Sequence, residues 1–528
     1  MRSRLFAGPP LDSHGVPHIN PWIVAIAVMF STFMEVLDTT VVNVSLPHIA
    51  GSLSSTIDEA TWVLTSYLVA NAIILPITGW LANYFGRKRL LMMSVTGFTI
   101  ASFCCGFAPT LSSLVIFRII QGAAGGALQP LSQAVLLEAF PPEEHGKAMG
   151  FWGMGIVVAP ILGPVLGGWL TDSYSWRWVF YINVPVGLLA LFMTQMFVFD
   201  PPYIKRGKGG VDYWGIGMLG VGIGALQILL DKGQQQDWFA SHWIAALATT
   251  SVVALGVFIY YELHTAAPVV DLRVFKLRTF SAGVFLMTVL GFVLYGSLVL
   301  LPIWMQTLLG YPALVAGMAL APRGVGSLIG MPLVGFLLPK ADPRKFLAGG
   351  LLLGSITLFQ FSYLSMDAGY WDFFWPQFNQ GVALALLFVP LTTITMSPIA
   401  KPAMGNATSI FNLMRNVGGS IGIAGVTTLV DRKQQVYTNT LAGHVNPFNP
   451  KSTAMWNGLT QNFMAHGADA ATAKRQGYVA LWGMVQQQAA ILSFLDVFWI
   501  LGVVFLLMIP LVLVMKKPAG KSGPIAAH

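Results

Sequence analysis

Long apolar segments, each bounded by charged or turn-forming residues, follow one another along almost the whole chain. A helix needs about 20 mostly apolar residues to cross a bilayer, and it satisfies its own backbone hydrogen bonds there. The segments are continuous and do not alternate with a period of two, which disfavours an outer-membrane barrel. Only 9% of the residues are charged, against about 25% in soluble proteins. The sequence therefore predicts an all-α, multi-pass membrane protein.

Fourteen segments are long enough to be transmembrane helices. Their approximate bounds are 21–45, 60–82, 89–108, 112–136, 147–170, 178–199, 212–230, 240–262, 280–306, 313–337, 346–364, 373–397, 406–430 and 488–515.

The distribution of lysine and arginine supports this order of helices. If the N-terminus lies inside, most of the 29 basic residues fall in inner loops and tails, whereas the short outer loops hold only Arg177 and Lys232. Inner loops of membrane proteins carry this excess of positive charge, so we expect both termini in the cytoplasm. The net charge of +8 then reflects topology, and we expect no nucleic-acid partner.

A weak internal repeat divides the chain. Helix 2 leads into Gly79 and a basic run at 87–89, and helix 10 leads into Gly335 and a basic pair at 344–345. Internal repeats of this kind occur in many secondary transporters. The predicted regions are an N-terminal cytoplasmic tail (1–20), an N-terminal six-helix bundle (21–200), two inserted linker helices (201–279), a C-terminal six-helix bundle (280–515) and a C-terminal cytoplasmic tail (516–528).

The segment 431–487, between helices 13 and 14, is too long and too polar for a simple outer connector. A turn cluster at 445–450 is followed by apolar residues at helical spacing around Met455 and again around Tyr478. We predict an external helical hairpin in this periplasmic segment; the alternative is a flexible loop.

Two carboxyl groups lie inside helix 1. Glu35 and Asp38 are three residues apart and therefore share one face of the helix. Charges inside a membrane span are expensive and are functional-site hypotheses by default. Burial favours the neutral form of a carboxyl group, and a proton carrier must take up and release a proton. We predict proton coupling at both residues; the alternative is a pair stabilised by a buried arginine or placed in a wet vestibule.

Three arginines, Arg118, Arg323 and Arg415, also lie within predicted helices. Arg118 on helix 4 cannot be deprotonated in practice, so it must face a carboxylate, carbonyl groups or water. If Arg118 pairs with a carboxylate of helix 1, the pair either tunes proton binding there or has a structural role alone. Arg415 on helix 13 is a similar buried cation in the second half of the chain. The alternative interpretation is that its side chain extends to the inner surface of the membrane.

Helix 5 carries small residues at every fourth position, from Gly155 through Ala159 and Gly163 to Gly167, with Pro160 and Pro164 between them. Small residues let two helices approach closely, and prolines remove backbone hydrogen bonds and permit bending. This pattern suits a helix that moves during alternating access; static tight packing is the alternative.

Several motifs carry a resemblance to a known family. The loop Gly79-Trp-Leu-Ala-Asn83-Tyr-Phe-Gly86-Arg87-Lys88 is similar to the pattern GxLaDxxGRK, with Asn83 in place of the usual acid. Residues 37–47, Leu-Asp-Thr-Thr-Val-Val-Asn-Val-Ser-Leu-Pro, resemble a helix 1 signature. Other matching motifs are RxxQG at 118–122, Gly163-Pro164 with Gly167-Gly168, Asn183-Val-Pro185 and Leu301-Pro302 with Gln306. Together they resemble the major facilitator superfamily and, within it, the fourteen-helix drug:proton antiporters of the EmrB/QacA type.

The resemblance implies a major facilitator fold and proton-driven efflux of hydrophobic or amphiphilic toxic compounds from the bacterial inner membrane. It implies no cofactor and no metal, because the proton gradient supplies the energy. The outer segment is similar to that of members that work with a periplasmic adaptor protein (EmrA-like) and an outer-membrane channel (TolC-like).

The charges inside the spans and the matching motifs together give the site residues that we expect. The proton-coupling residues are Asp38, Glu35 and Arg118. The conformational motifs are Gly79, Asn83, Gly86, Arg87, Lys88, Gly163, Pro164 and Gly167. The candidates for substrate binding are Asn43, Gln121, Gln306 and Arg415.

Two other functions are considered. A proton-coupled exporter of one specific metabolite or fatty acid needs the same proton site with a narrower pocket, and the sequence does not separate it from a multidrug exporter. A membrane-embedded lipid-modifying enzyme would need acidic or histidine residues clustered in surface loops. The short loops have no such cluster, so we expect a transporter and not an enzyme.

Overall fold

A computed structural model describes residues 20–200, 211–266 and 268–515, and this part of the chain is helical without strands. Helices occur at all fourteen predicted positions. In chain order they are α1 (Pro21–Ser52), α2 (Ile57–Ala60), α3 (Trp62–Phe85), α4 (Arg87–Phe107), α5 (Leu111–Gly125), α6 (Leu128–Ala139), α7 (His145–Ser173), α8 (Trp178–Tyr181), α9 (Asn183–Phe197), α10 (Tyr213–Lys232), α11 (His242–His264), α12 (Arg278–Thr307), α13 (Ala313–Met318), α14 (Ala321–Leu337), α15 (Pro343–Phe361), α16 (Tyr370–Met396), α17 (Met404–His444), α18 (Pro450–Ala465) and α19 (Ala470–Val512).

Within the described residues, 12 helices, counted with the short turns that continue some of them, are long and apolar enough to cross a membrane. The two predicted spans outside this set are α15 and α17. α15 has Arg344 and Lys345 in its first turn, and α17 contains Arg415 and continues into a polar extension, so both are less apolar. The all-α membrane fold is confirmed, and the count of fourteen crossings stays a prediction.

Three of the predicted helices are interrupted, which corrects their description as single helices. The interruptions separate α5 from α6, α8 from α9, and α13 from α14. Each interruption lies between two and four residues before a proline, namely Pro130, Pro185 and Pro322. Proline has no N–H to donate to the carbonyl four residues earlier, and its ring clashes with that carbonyl. Each helix therefore breaks at, or directly after, the residue whose carbonyl loses the bond.

The helices pack in two groups that meet along the middle of the molecule. In the first group α1 packs on α7 and α3 packs on α5; in the second α12 packs on α17 and α14 packs on α16. The groups touch where α7 meets α14 and where α3 and α6 meet α17. The limits set from the sequence, 21–200 and 280–515, stay predictions. The described residues do not include most of the tail 1–20, the linker residues 201–210 or the tail 516–528.

The predicted linker helices α10 and α11 pack against each other, and α10 also contacts α3 and α17. Thr65 of α3 donates a hydrogen bond to Asp231, and Ser420 of α17 donates one to Gln227 at 3.1 Å. α10 therefore contacts helices of both groups.

We call the end of the bundle that holds Arg87, Lys147 and Lys401 the basic end. Here the two groups approach so closely that only glycine fits. A Cβ atom at Gly79 of α3 would lie 2.6 Å from the backbone of Asn406 in α17, and one at Gly335 of α14 would lie 2.8 Å from the Gly146 carbonyl of α7. The bundle is therefore closed at its basic end.

The opposite end carries the helical hairpin predicted for 431–487, which confirms that prediction. α18 packs on the first part of α19, where the rings of Trp456 and Tyr478 stack with centroids 4.8 Å apart. Leu481 and Val485 are buried. The bounds of helices 13 and 14 need correction, because α17 continues to His444 and α19 begins at Ala470. Both helices extend beyond the apolar segments from which they were predicted.

Candidate functional site

Asp38 lies in the middle of the first group of helices and forms a buried ion pair with Arg118 of α5. Nη1 of Arg118 is 2.5 Å from Oδ2 of Asp38, and both side chains are completely buried. The pairing of Arg118 with helix 1, which the sequence left open, is present in the structure.

Two amides complete the surroundings of Asp38. Its Oδ1 accepts hydrogen bonds from Gln121 Nε2 at 3.0 Å and from Asn183 Nδ2 at 2.7 Å. Arg118 in turn donates to the Val63 carbonyl at 3.0 Å and to the Gln121 side chain at 2.8 Å. The Asp38 carboxylate thus connects α1, α5 and α9, and Arg118 extends the network to α3. A buried carboxylate with a cation and several donors is well satisfied.

Glycines and an aromatic ring position this network. A Cβ atom at Gly122 of α5 would lie 2.3 Å from the Tyr67 carbonyl of α3, so α5 requires glycine to pack there. The Tyr67 ring lies 4.1 Å from the Arg118 guanidinium carbon, at cation–π distance.

Glu35 shares the face of α1 with Asp38 but has different surroundings. Its Oε1 accepts one hydrogen bond from Asn71 Nδ2 at 3.0 Å. Its Oε2 is buried and has no hydrogen-bond partner within the described part of the chain. Glu35 and Tyr67 both line a cavity of about 300 Å³. Tyr67 therefore lies between this cavity and the Arg118–Asp38 pair.

We call this space the central cavity, because helices of both groups and α10 form its wall. Most of the wall is apolar, with residues such as Val36, Ile156, Leu294 and Leu384. Its charged and amide-bearing residues are Glu35, Asn71, Gln129, Gln227, Arg323, Arg415 and Asn416. An apolar cavity with a few convergent polar groups is typical of a small-molecule site.

Arg415 is buried in this wall and does not reach the surface. It donates hydrogen bonds to the Gln129 side chain of α6 and to Asn416 Oδ1, the latter at 3.4 Å. Nearby, Asn412 donates to Gln133. These bonds join α17 to α6 across the two groups of helices.

The other substrate-binding candidates lie elsewhere. Asn43 and Gln306 are exposed and are not part of the cavity wall. Gln121 belongs to the network around Asp38. Of the four candidates, the structure brings only Arg415 to the central cavity.

The loop between α3 and α4 is held by Arg87. This side chain is buried, forms an ion pair with Glu138 of α6, and donates to the Lys401 carbonyl at 3.4 Å. Gly86 has a φ of 90°, which favours glycine, and the Lys88 side chain donates to the Gln195 carbonyl at 2.6 Å. Asn83 is exposed. The loop thus connects the two groups of helices at the basic end.

The predicted small residues of α7 pack closely on α1, within the first group, and other parts of α7 contact α14 and α16 of the second group. A Cβ atom at Gly163 would lie 2.1 Å from Thr40 Oγ1, and one at Gly167 would lie 2.8 Å from the Val41 carbonyl. Pro164 lines the central cavity. α7 is thus a wall of the cavity as well as a contact between the groups.

Sequence reasoning missed Glu138, Gln129 and Arg323 as members of these sites. Asn183 was part of a quoted motif, but its bond to Asp38 was not anticipated. Within the described residues there is no group of three or more His, Cys, Asp or Glu side chains that could hold a metal ion.

Solved structures with a similar fold include two transporters. The human organic anion transporter MFSD10 (TETRAN) has a TM-score of 0.62 and 11% identity, covering 94% of this chain and 100% of that chain. A double tryptophan mutant of XylE has a TM-score of 0.61 and 15% identity, covering 95% of this chain and 97% of that chain. At such identities the likeness concerns the fold alone.

Sequence comparison gives nearer relatives. The Major Facilitator Superfamily profile matches residues 28–423. The multidrug export protein EmrB of Escherichia coli strain K12 is 38% identical over 504 residues, 95% of this chain and 96% of that protein. The fatty acid resistance protein FarB of Neisseria gonorrhoeae is 38% identical over 523 residues, 98% of this chain and 99% of that protein.

Proposed function

The chain belongs to the major facilitator superfamily, and we propose that it is a proton-driven multidrug exporter that exchanges hydrophobic or amphiphilic compounds for protons. The observation that carries the proposal is the buried Arg118–Asp38 pair, which lies against Tyr67, a residue that also lines an apolar cavity between two groups of helices.

Asp38 is the proposed proton carrier. Protonation would remove the negative charge from the pair and leave the Arg118 guanidinium without its counter-charge. Gln121 and Asn183 would then face a neutral carboxyl group, which accepts hydrogen bonds less strongly than a carboxylate. The bonds that hold α1, α5 and α9 together would weaken, and Tyr67 would carry the change to the cavity wall. A proton thus alters both the shape and the charge of the cavity surroundings.

Alternating access supplies the second part of the mechanism. The molecule is closed at its basic end by the contacts of α3 with α17 and of α7 with α14. Opening this end requires these contacts to separate, together with the cross-group bonds of Arg87 and Arg415. Pro160 and Pro164 in α7 remove backbone hydrogen bonds, so this helix can bend with less resistance.

We further propose that the protein lies in the bacterial inner membrane, with its basic end and both termini in the cytoplasm. The distribution of lysine and arginine supports this orientation. The hairpin would then project into the periplasm, where it would bind an EmrA-like adaptor that leads to a TolC-like outer-membrane channel.

The test of the proton site is Asp38→Asn in inside-out vesicles that carry a pH-sensitive dye. A panel of cationic, anionic and neutral amphiphiles should release protons from wild-type protein and from the control Asp172→Asn, whose carboxyl group is exposed on α7. Asp38→Asn should be inserted normally and release none. Normal substrate-induced proton release from this variant would refute the assignment of Asp38.

A narrower function is favoured by one relative. The name of the Neisseria gonorrhoeae protein refers to fatty acid resistance, so an exporter specific for fatty acids is the second candidate. With a fatty acid as its anionic member, the same panel separates the two candidates, because a specific exporter would respond to the fatty acid and to no other class of compound.

A further inference from the structure

Arg323 of α14 lies in the wall of the central cavity. It is 6% exposed, and its Nη1 atom is buried without a hydrogen-bond partner. Within the described part of the chain, its guanidinium group has no ion pair. Arg118 and Arg87, which are 0% and 1% exposed, each face a carboxylate.

An unpaired arginine in this position needs a physical explanation. Its guanidinium group stays charged, because it cannot be deprotonated in a protein. A buried charge without a partner is strongly destabilising, and apolar or polar neutral side chains would fit this wall at lower free energy. A guanidinium group in the cavity wall with an unused hydrogen-bond donor can, however, bind an anion that enters the cavity.

The remaining charges of the cavity strengthen this interpretation. Arg415 is a second guanidinium in the same wall, and its hydrogen-bond partners are the neutral amides of Gln129 and Asn416. The single carboxyl group of the wall, Glu35, already accepts a bond from Asn71. The wall therefore has two cations and one carboxyl group, and its field favours a negatively charged ligand.

The surfaces around these cations are apolar, with Val36, Ile156, Leu294 and Leu384 among them. A small inorganic anion would leave such surfaces without contacts. A ligand with an anionic head group and an apolar body would satisfy both the cations and the apolar wall.

We propose that Arg323 binds the anionic head group of amphiphilic substrates, with Arg415 adding to the attraction. The inference rests on the proposed function and narrows its substrates, since amphiphiles with a carboxylate, sulfonate or similar head group are bound more tightly than cationic ones of equal length. The guanidinium fork suits such oxygens, because it donates two parallel hydrogen bonds.

Two probes of equal chain length and permanent, opposite charge test this inference: decanesulfonate and decyltrimethylammonium. Neither carries a titratable proton, so neither moves protons by itself. Binding is measured as a shift in the melting temperature of purified protein, and transport as uptake into inside-out vesicles, both below lytic concentrations. The variants are Arg323→Gln, Arg323→Lys and the control Arg475→Gln, whose arginine is exposed in α19.

We expect wild-type protein and Arg475→Gln to bind and transport decanesulfonate. Arg323→Gln should lose at least about tenfold in affinity for decanesulfonate, as expected for a lost charge-assisted hydrogen bond. Its affinity for decyltrimethylammonium should not fall, and Arg323→Lys should keep part of the sulfonate affinity. Without ligand, Arg323→Gln should melt at or above the wild-type temperature, because an unpaired buried charge has been removed.

Several results would overturn the inference. If Arg323→Gln loses affinity for both probes equally and also melts at a lower temperature without ligand, the arginine has a structural role. Transport of decyltrimethylammonium without binding of decanesulfonate by wild-type protein would reject the anionic class and leave the proposed function intact. Transport of neither probe, with tight binding of decanesulfonate that depends on Arg323, would reject the proposed function and retain the site.

Discussion

At the scale of single residues, two carboxyl groups three positions apart in α1 have different surroundings. Asp38 faces a guanidinium and two amides, whereas Glu35 accepts one amide bond and lines the central cavity. The difference arises from their neighbours on α3, α5 and α9. We infer that Asp38 holds the network together and that Glu35 is the carboxyl group that substrates can approach.

Glu35→Gln tests this division of roles. Since Glu35 has no ion pair in the described chain, we expect the variant to fold and to retain proton release driven by neutral substrates. Its affinity for cationic amphiphiles should fall about tenfold, because a charge-assisted contact is lost. Transport and proton release are measured for both classes of substrate. Loss of proton release with every substrate would instead make Glu35 the primary proton carrier.

The Arg87–Glu138 pair at the basic end gives a prediction about stability. Both side chains are almost fully buried, and removal of one partner from a buried pair is destabilising by about 3–5 kcal/mol. Arg87→Gln should therefore lower the melting temperature clearly, and the double variant with Glu138→Gln should recover part of the loss.

Lys147→Gln is the matched control for this prediction. Lys147 pairs with Glu144 at 2.9 Å, but both side chains are partly exposed, and such pairs contribute about 1 kcal/mol or less. Equal melting temperatures for Arg87→Gln and Lys147→Gln would contradict a stabilising role for the buried pair.

The sequence predicted part of this chemistry and could not predict the rest. Glu35, Asp38 and Arg118 were identifiable because a charge inside an apolar segment is conspicuous. Glu138 lies near a helix end, where an acidic residue is ordinary. Gln129 and Asn183 are neutral amides, whose importance appears only when packing brings them to Arg415 and Asp38.

At the scale of helices, apolar length predicted the positions well and the interruptions poorly. Pro130, Pro185 and Pro322 follow breaks, whereas Pro47, Pro76 and Pro302 lie inside continuous helices. Proline removes the same hydrogen bond in each case, so the outcome depends on tertiary packing. The outer parts of α17 and α19 were not included in the predicted helices, because these parts are too polar to be recognised as transmembrane segments. There Lys433 and Tyr437 both donate to Asp496, which joins the two helices.

The close approach of α3 and α17 at Gly79 predicts a shift between conformations. A methyl group at this position would overlap the Asn406 backbone, and overlap of this size is destabilising by about 1–3 kcal/mol. Gly79→Ala should therefore raise the ratio of the state open at the basic end to the closed state by about tenfold or more. The measurement is the labelling rate of a cysteine at Ser409, which is buried, in protein with Cys104 and Cys105 replaced by alanine.

Gly349→Ala serves as the control, because a Cβ atom at Gly349 would meet nothing within 4 Å. It should leave the labelling rate unchanged. If Gly79→Ala also leaves the rate unchanged, the contact of α3 with α17 does not control opening at the basic end.

At the scale of the whole molecule, the two ends of the bundle have different characters. The basic end is closed by glycine contacts and ion pairs, and the other end carries a hairpin of α18 and the first part of α19. Phe448, in the turn before α18, is 94% exposed. We propose that this ring contributes to the adaptor contact.

The last prediction concerns this hairpin. Replacement of residues 445–469 by a Gly/Ser linker of equal length removes α18 and its turns but leaves the α17 contacts with Asp496. Substrate–proton exchange in vesicles should persist, because the central cavity and the Asp38 network are untouched. Resistance of intact cells and co-purification of the adaptor should be lost.

A point variant locates the contact more finely. Phe448→Ser should weaken co-purification of the adaptor, whereas Tyr363→Ser, which changes an equally prominent aromatic residue after α15, should not. Because the hairpin lies far from the glycine contacts of the basic end, neither variant should alter the labelling rate at Ser409. Full resistance and unchanged capture of the adaptor by the linker protein would show that the adaptor binds elsewhere on the molecule.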